Sequence, residues 1–265
     1  MRAFSGAIFD VDGVLVDSPH EKAWREALRD LMETTWRDIR PYTTWSSGAF
    51  TRAVYEREVS GKPRLSGAQA ALEHFGVPDD DRGSRVAEYA ARKQARVEQF
   101  IEAGDFTAYP DGIRLVLDLK DAGLRLAIAS SSKNATQLLH KTPIGDVRHT
   151  DRAGGPPRDT ALGELFDAAV SGRDFARGKP DPEMFLTAAR ELGVTPNTAV
   201  VIEDAAAGIQ AAKAGGMAAI GIARAGDDLL LMQAGADIVV DSLDSVDRIA
   251  LSRGVLTGSE SDAEP

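Results

Sequence analysis

The chain has 265 residues, with 41 acidic against 31 basic side chains and a formal net charge of −10. That length fits one large or two small domains, and an acidic balance without a basic run argues against nucleic acid as a partner. The absence of cysteine excludes disulfides and cysteine catalysis, and no apolar stretch approaches the ~18 residues that a membrane span needs.

Residues 7–9 are a short apolar run that reads as a buried strand. The run ends at Asp10. A second acid, Asp12, follows two residues on, and then Gly13, which lets the chain turn. In open α/β sheets, ligands bind at the carboxyl ends of the strands. The pair is therefore placed where a nucleophile or a metal ligand would sit. The chain enters this strand without a charged-then-apolar leader, so a cytoplasmic location is expected.

Residues 18–105 break the pattern. They read as helix after helix, over 21–33, 50–59, 67–75 and 82–102, with almost no strand signal. An all-helical segment directly after a first strand reads as a separate inserted domain. Strand–helix alternation resumes near Tyr109, so residues 1–17 and 106–265 form the other domain, discontinuous in sequence.

The resumed pattern carries three more strand-end signals. Leu126-Ala127-Ile128-Ala129 runs into Ser130-Ser131-Ser132-Lys133-Asn134, and hydroxyls with free N–H groups at a helix start suit a phosphate. Gly178-Lys179-Pro180-Asp181-Pro182 holds a lysine in a Pro-bounded turn before an amphipathic stretch with Met184, Phe185, Ala188 and Leu192. Ala199-Val200-Val201-Ile202 ends in Glu203 and Asp204, two acids that repel unless something positive lies between them. Alternating strands and helices argue for a parallel sheet, so these groups can meet on one edge. A nest of carboxylates suits a hard ion such as Mg2+. With no cysteine, no Ser-His-Asp pattern and no Gly-rich phosphate loop, a carboxylate must itself be the nucleophile. A free aspartate has a pKa of about 3.9, so Asp10 is expected to be ionised at neutral pH.

The remaining segments say less. Residues 142–158 are polar and rich in Pro and Gly, and read as a surface loop, with His140 and His149 as solvated side chains. The acidic tail 258–265 reads as disordered.

The order FDVDGV, ASSS, GKPDP, IEDA resembles the four motifs of the haloacid dehalogenase superfamily of phosphotransferases. The resemblance spans nearly the whole chain. It implies a Rossmann-like, doubly wound parallel α/β core with an inserted helical cap that closes over the site. It implies that Asp10 takes the phosphoryl group and that Asp12 is the general acid and base. Asp12 would also ligate Mg2+ through its backbone carbonyl, beside Asp10, Glu203 and Asp204. Ser130, Ser131 and Lys179 would hold the phosphoryl oxygens. Within the family, the chain is similar to the β-phosphoglucomutase group and its sugar-phosphate phosphatase relatives. Asn134 would then contact the substrate beside the transferring phosphate. Arg64, in Ser60-Gly61-Lys62-Pro63-Arg64, resembles a grip on a second phosphate. Lys93 resembles a lysine that reaches the cleft, and His20 a hinge histidine. The implied partner is a small phosphorylated sugar, with no nucleic acid and no membrane, and the chain is expected to be a monomer or a weak homodimer. Three readings stay open: a mutase, a phosphatase, and a silent phosphometabolite-binding protein.

Overall fold

A computed structural model describes residues 3–60, 62–78, 83–145, 155–173, 175–224 and 226–257. His149 and the tail 258–265 lie outside the described residues. In chain order the elements begin with β1 (Gly6–Phe9), β2 (Val16–Asp17), α1 (His20–Glu33), α2 (Arg52–Val54), α3 (Arg64–His74) and α4 (Ser84–Ala103). They continue with β3 (Thr107–Ala108), α5 (Pro110–Asp121), β4 (Arg125–Ser130), α6 (Ala135–His140), β5 (Ala168–Ser171) and α7 (Glu183–Leu192). The last are β6 (Ala199–Glu203), α8 (Ala206–Ala214), β7 (Ala218–Ile222), α9 (Asp228–Gln233), β8 (Ile238–Val240) and α10 (Arg248–Ser252). Two compact units result, residues 1–17 with 107–265, and residues 18–106. Phe106 thus falls with the helical unit, one residue later than the sequence suggested.

The first unit is an α/β domain. Six strands pair in parallel in the order β5-β4-β1-β6-β7-β8. β1 is buried along its whole length, and so is β6. This is why their sequences are continuous apolar runs rather than alternating ones. Successive side chains point to opposite faces. Ile8, Ala127, Ala129, Val170, Ala199, Val201 and Ala219 form one face and pack with α7, α8 and Leu231. The alternate residues Ala7, Phe9, Leu126, Ile128, Val200, Ile202 and Ile220 are equally buried on the other face. The register pairs Phe9 with Ile128 on one side and with Ile202 on the other. The ends of β1, β4 and β6 therefore stand level at one edge.

A two-stranded antiparallel ribbon lies in the same unit. Val16 pairs with Ala108 and Asp17 with Thr107. The chain departs through β2 and returns through β3.

The second unit is helical. α1 buries Ala23, Trp24, Ala27, Leu28, Leu31 and Met32, a three-and-four spacing that makes one apolar stripe. α4 buries Tyr89, Ala90, Lys93, Val97 and Ile101 and ends at Gly104, whose φ of 70° supplies the left-handed cap. Trp24 and Tyr89 meet edge to face, with ring centroids 5.0 Å apart, and the Tyr89 hydroxyl donates to the Trp24 carbonyl at 2.9 Å.

Three expectations need correction. The helix expected over 50–59 is one α-turn, α2, followed by a wider π turn over Tyr55–Val59. That width puts Val54 and Val59, five residues apart, both in the core. The helix expected over 67–75 begins three residues earlier, so that Arg64 opens α3 directly after its N-cap, Pro63. The segment 142–158 is not wholly a surface loop. Its described start pairs with its end and with the residues just beyond, through Gly145 N–H to Arg158 O at 2.9 Å, Ile144 N–H to Thr160 O at 3.0 Å and a Pro143–Ala161 bridge. Thr142 and Ile144 are buried. Residues 146–154 of that segment lie outside the described residues.

Candidate active site

Asp10 directly follows β1, and its N–H donates to Ile202 O on β6 at 3.0 Å. The backbone is thus fixed by the neighbouring strand before any side chain acts. Glu203 is the last residue of β6, and Asp204 follows it. Lys179 comes from the Pro-bounded turn ahead of α7. Its Nζ donates to Asp10 Oδ1 at 2.6 Å and to Glu203 Oε1 at 3.0 Å, and lies 5.0 Å from the Phe185 ring centroid. One lysine therefore ties the end of β1 to the end of β6.

Asp10 and Glu203 are buried, and Lys179 and Asp204 are partly so. Burial pushes the Asp10 carboxyl up, Lys179 pulls it back, and Asp12 adds to the rise. Asp10 is thus not the ordinary aspartate that its sequence context suggests. Glu203 is pushed up to about 8, by burial first, against the pull of Lys179, with Asp10 adding to the rise. Asp204 is raised well above the usual range by burial and by Glu203 and Asp10. Lys179 is held above its ordinary value because Asp10 and Glu203 together outweigh its burial. Among the described residues, three carboxylates face one ammonium, that of Lys179.

The donor set fits a cation. Asp10, Glu203 and Asp204 each offer a carboxylate oxygen, all within 4.8 Å of one another. Glu203 Oε2 is buried and makes no hydrogen bond with any described residue. A hard divalent ion accepts such all-oxygen ligation. Gly13, beside Asp204, and Gly208, beside Glu203, keep the room clear. A Cβ on Gly208 would meet Glu203 Oε1 at 1.6 Å. The Asp12 side chain is not among the three oxygens.

Asp12 lies in a compact turn. Gly13 N–H donates to Val16 O at 2.8 Å, and Leu15 and Val16 N–H both donate to Val11 O, at 2.9 and 3.0 Å. Ser130 ends β4 and is 2% exposed; its Oγ accepts from Ser132 N–H at 3.1 Å. Asn134 is also buried, and its N–H donates to Ser132 Oγ at 3.2 Å. Ser131 is exposed. The ends of β1, β4 and β6 thus bring Asp10, Ser130, Glu203 and Asp204 to one edge of the sheet.

The remaining expected residues belong to the helical unit. Lys93 lies on the buried stripe of α4, its Nζ 3.4 Å from His20 Nδ1 and 5.0 Å from the Trp24 ring centroid. Burial, and then the Lys93 charge, hold the His20 imidazole well below its usual pKa. A neutral imidazole can accept from the ammonium at Nδ1. Arg64 is exposed at the start of α3.

Two residues escaped the sequence reading. Arg224 follows β7, and Asp111 lies in the first turn of α5. They form a bidentate pair at 2.8 and 3.0 Å. Arg224 could have been sought as one more polar residue just beyond a parallel strand.

Known proteins share this arrangement of sequence. The family model for haloacid dehalogenase-like hydrolases matches residues 4–216. A β-phosphoglucomutase of Mycobacterium tuberculosis is 31% identical over 253 residues, covering 89% of this chain and 88% of that protein. A validoxylamine A 7′-phosphate phosphatase of Streptomyces hygroscopicus subsp. limoneus is 30% identical over 249 residues, covering 91% and 94%. The crystal structure of a β-phosphoglucomutase from Pyrococcus sp. strain ST 04 superposes with a TM-score of 0.66 at 28% identity, covering 94% of this chain and 99% of that one. A family match over most of the chain, and relatives of this identity and coverage, lead to one conclusion: the chain belongs to the haloacid dehalogenase-like hydrolases and is an enzyme of their phosphotransferase and phosphatase kind.

Proposed function

We propose that the chain moves a phosphoryl group from a small sugar phosphate through a covalent intermediate on Asp10, as a β-phosphoglucomutase-like mutase. The observation that carries this reading is the Lys179 bridge between Asp10 and Glu203 beside Asp204. It leaves one carboxylate oriented at a strand end, in a pocket of charge that a phosphoryl group and a cation would balance.

Asp10 attacks phosphorus, and the bond to the sugar oxygen breaks. Asp12 protonates the departing oxygen, and later takes a proton from the acceptor as it attacks the aspartyl phosphate. Lys179 offsets the charge that gathers on the phosphoryl oxygens, and Ser130 and Ser131 donate to them. Asp10, Asp12 through its carbonyl, Glu203 and Asp204 would hold Mg2+, which supplies further positive charge to the same oxygens. Asn134, His20, Lys93 and Arg64 bind the sugar phosphate. We place the enzyme in the cytoplasm, as a monomer or weak homodimer; among the described residues no helix is long and apolar enough to cross a membrane.

A phosphatase reading has its own support, because the Streptomyces phosphatase is 30% identical, against 31% for the mutase, and is covered at least as fully. The two part at the acceptor, a sugar hydroxyl in one and water in the other. Incubation with β-glucose 1-phosphate, a trace of the bisphosphate and Mg2+ should give glucose 6-phosphate. Release of free phosphate alone would replace the mutase with a phosphatase. Asp10→Asn should lower turnover of either kind by roughly a thousandfold with folding intact, and more than a tenth of wild-type activity would end the covalent reading.

A further inference from the structure

We propose that Arg224 is a positioning residue, which clamps the turn bearing Asp12 to Asp111. The inference rests on the phosphoryl-transfer reading above and assigns a new residue to it.

One guanidinium makes five contacts. Nη1 donates to Asp111 Oδ2 at 2.8 Å, and Nη2 to Asp111 Oδ1 at 3.0 Å. Nε donates to Gly13 O at 3.2 Å, and Nη2 also reaches Val14 O at 3.3 Å. Its Cζ lies 4.0 Å from the Tyr109 ring centroid. A planar fork of donors can meet a carboxylate and two carbonyls together, which a lysine cannot.

Asp111 is itself anchored. It accepts from Gly112 N–H and Leu243 N–H, each at 2.9 Å, and from Ser242 Oγ at 3.3 Å. Burial works to raise its carboxyl, yet the Arg224 fork and these N–H groups hold it below the usual carboxylate range. The anchor is therefore a charged acid with its orientation set by α5 and by the chain after β8.

What this anchor holds is the stretch after Asp12. Gly13 and Val14 follow that acid directly, and both of their carbonyls end on Arg224. Tyr109 N–H donates to Leu15 O at 2.9 Å, and a Cβ on Gly112 would meet Val14 O at 2.7 Å. The start of α5 thus packs directly on the turn. Two of the donors thus end on the carbonyls next to the proposed acid–base residue, so losing the fork would release the backbone of the Asp12 turn as well as break the ion pair. A displacement of about 1 Å in a reacting group costs on the order of a hundredfold in rate.

The test uses leaving groups. A sugar oxygen needs a proton to depart, whereas the para-nitrophenolate ion does not; kcat/KM reports the steps up to that departure and not the later attack on the aspartyl phosphate, so in kcat/KM misplacing Asp12 should harm only the first. The full chain with Mg2+ is assayed for kcat/KM on β-glucose 1-phosphate, counting all products, and on para-nitrophenyl phosphate. Wild type should consume both and Asp10→Asn neither; failing that, the phosphoryl-transfer reading falls and the clamp with it. Given that result, Arg224→Ala and Asp111→Asn should lower kcat/KM for the sugar phosphate about a hundredfold and for the aryl phosphate less than about fivefold. Arg224→Lys keeps the charge without the fork and should stay impaired on the sugar phosphate. It also carries the test, with Asp111→Asn, where the alanine variant does not fold. Equal losses on both substrates, no loss on either, or full recovery in Arg224→Lys would each overturn the proposal.

Discussion

Gly13 and Asp204 meet so closely that a Cβ on Gly13 would stand 1.8 Å from Asp204 Oδ2 and 2.4 Å from its Cγ. Gly13 also has a φ of +80°, which side-chain-bearing residues rarely adopt. Gly13→Ala must therefore displace either the Asp12 turn or the Asp204 carboxylate. Mg2+ affinity by titration calorimetry should fall by at least about tenfold and turnover by at least about a hundredfold, since both outcomes damage the site. Wild-type values for both would mean that the turn is far more compliant than its hydrogen bonds suggest.

Removal of divalent metal should make stability depend on pH. Glu203, pushed up to about 8, keeps its proton in the folded chain, whereas an unfolded glutamate near ~4.3 has released it. The folded state then binds more protons between these values, so stability falls as pH rises through that window. Chelated protein should melt at steadily lower temperature from about pH 5 to about pH 8, by about 2–4 °C for each kcal/mol lost. Saturating Mg2+ should raise the melting temperature most at the alkaline end, because it favours the ionised carboxylates. A flat profile for the chelated protein would contradict the buried acidic cluster.

In the helical unit, Lys93→Met should free His20 from one of the two influences on it. Burial is the larger cause of the lowered imidazole pKa, and the Lys93 charge the second. NMR titration of the His20 ring protons should show a rise that stops short of the ordinary ~6.5. The melting temperature should be equal or higher, because an apolar side chain of similar length replaces a buried ammonium. An unchanged His20 would show that the two groups are not electrostatically coupled.

Arg64→Ala separates substrate recognition from chemistry. For a sugar phosphate that presents a second, non-reacting phosphate, the variant should lose about 2–5 kcal/mol of transition-state stabilisation, read from kcat/KM. An aryl phosphate should be hydrolysed almost as before. Melting should barely change, since an exposed arginine contributes little. Equal losses on both substrates would assign Arg64 a general role in activity.

The sequence shows the site where local patterns carry it. Asp10, Ser130, Glu203 and Asp204 are legible because a buried parallel strand is a short apolar run, and the polar residue that ends it marks the sheet edge. Lys179 is legible from its Pro-bounded turn. Lys93 is obscured by its charged neighbours, Arg92 and Arg96, although it falls four residues from both Tyr89 and Val97 on the buried stripe. Arg224 pairs with an acid 113 positions away, which no local window can reveal. The described ends of 142–158 bury Thr142 and Ile144 through pairing across an excursion, and a periodicity within one run does not report such pairing. The π turn at Tyr55–Val59 likewise departs from the spacing that a helix pattern assumes.

The ribbon of β2 and β3 makes the helical unit an insertion whose two ends are already joined. Closing a longer excursion costs only about 0.6 kcal/mol for each doubling of its length. Helices can therefore be exchanged, lengthened or redecorated beyond that doorway without shifting the register that aligns Phe9 with Ile128 and Ile202. Under the proposed function, selectivity and reactivity would then be separately heritable: a lineage could explore new substrates through one part of its gene while the strand ends proposed to carry the chemistry stay as they are.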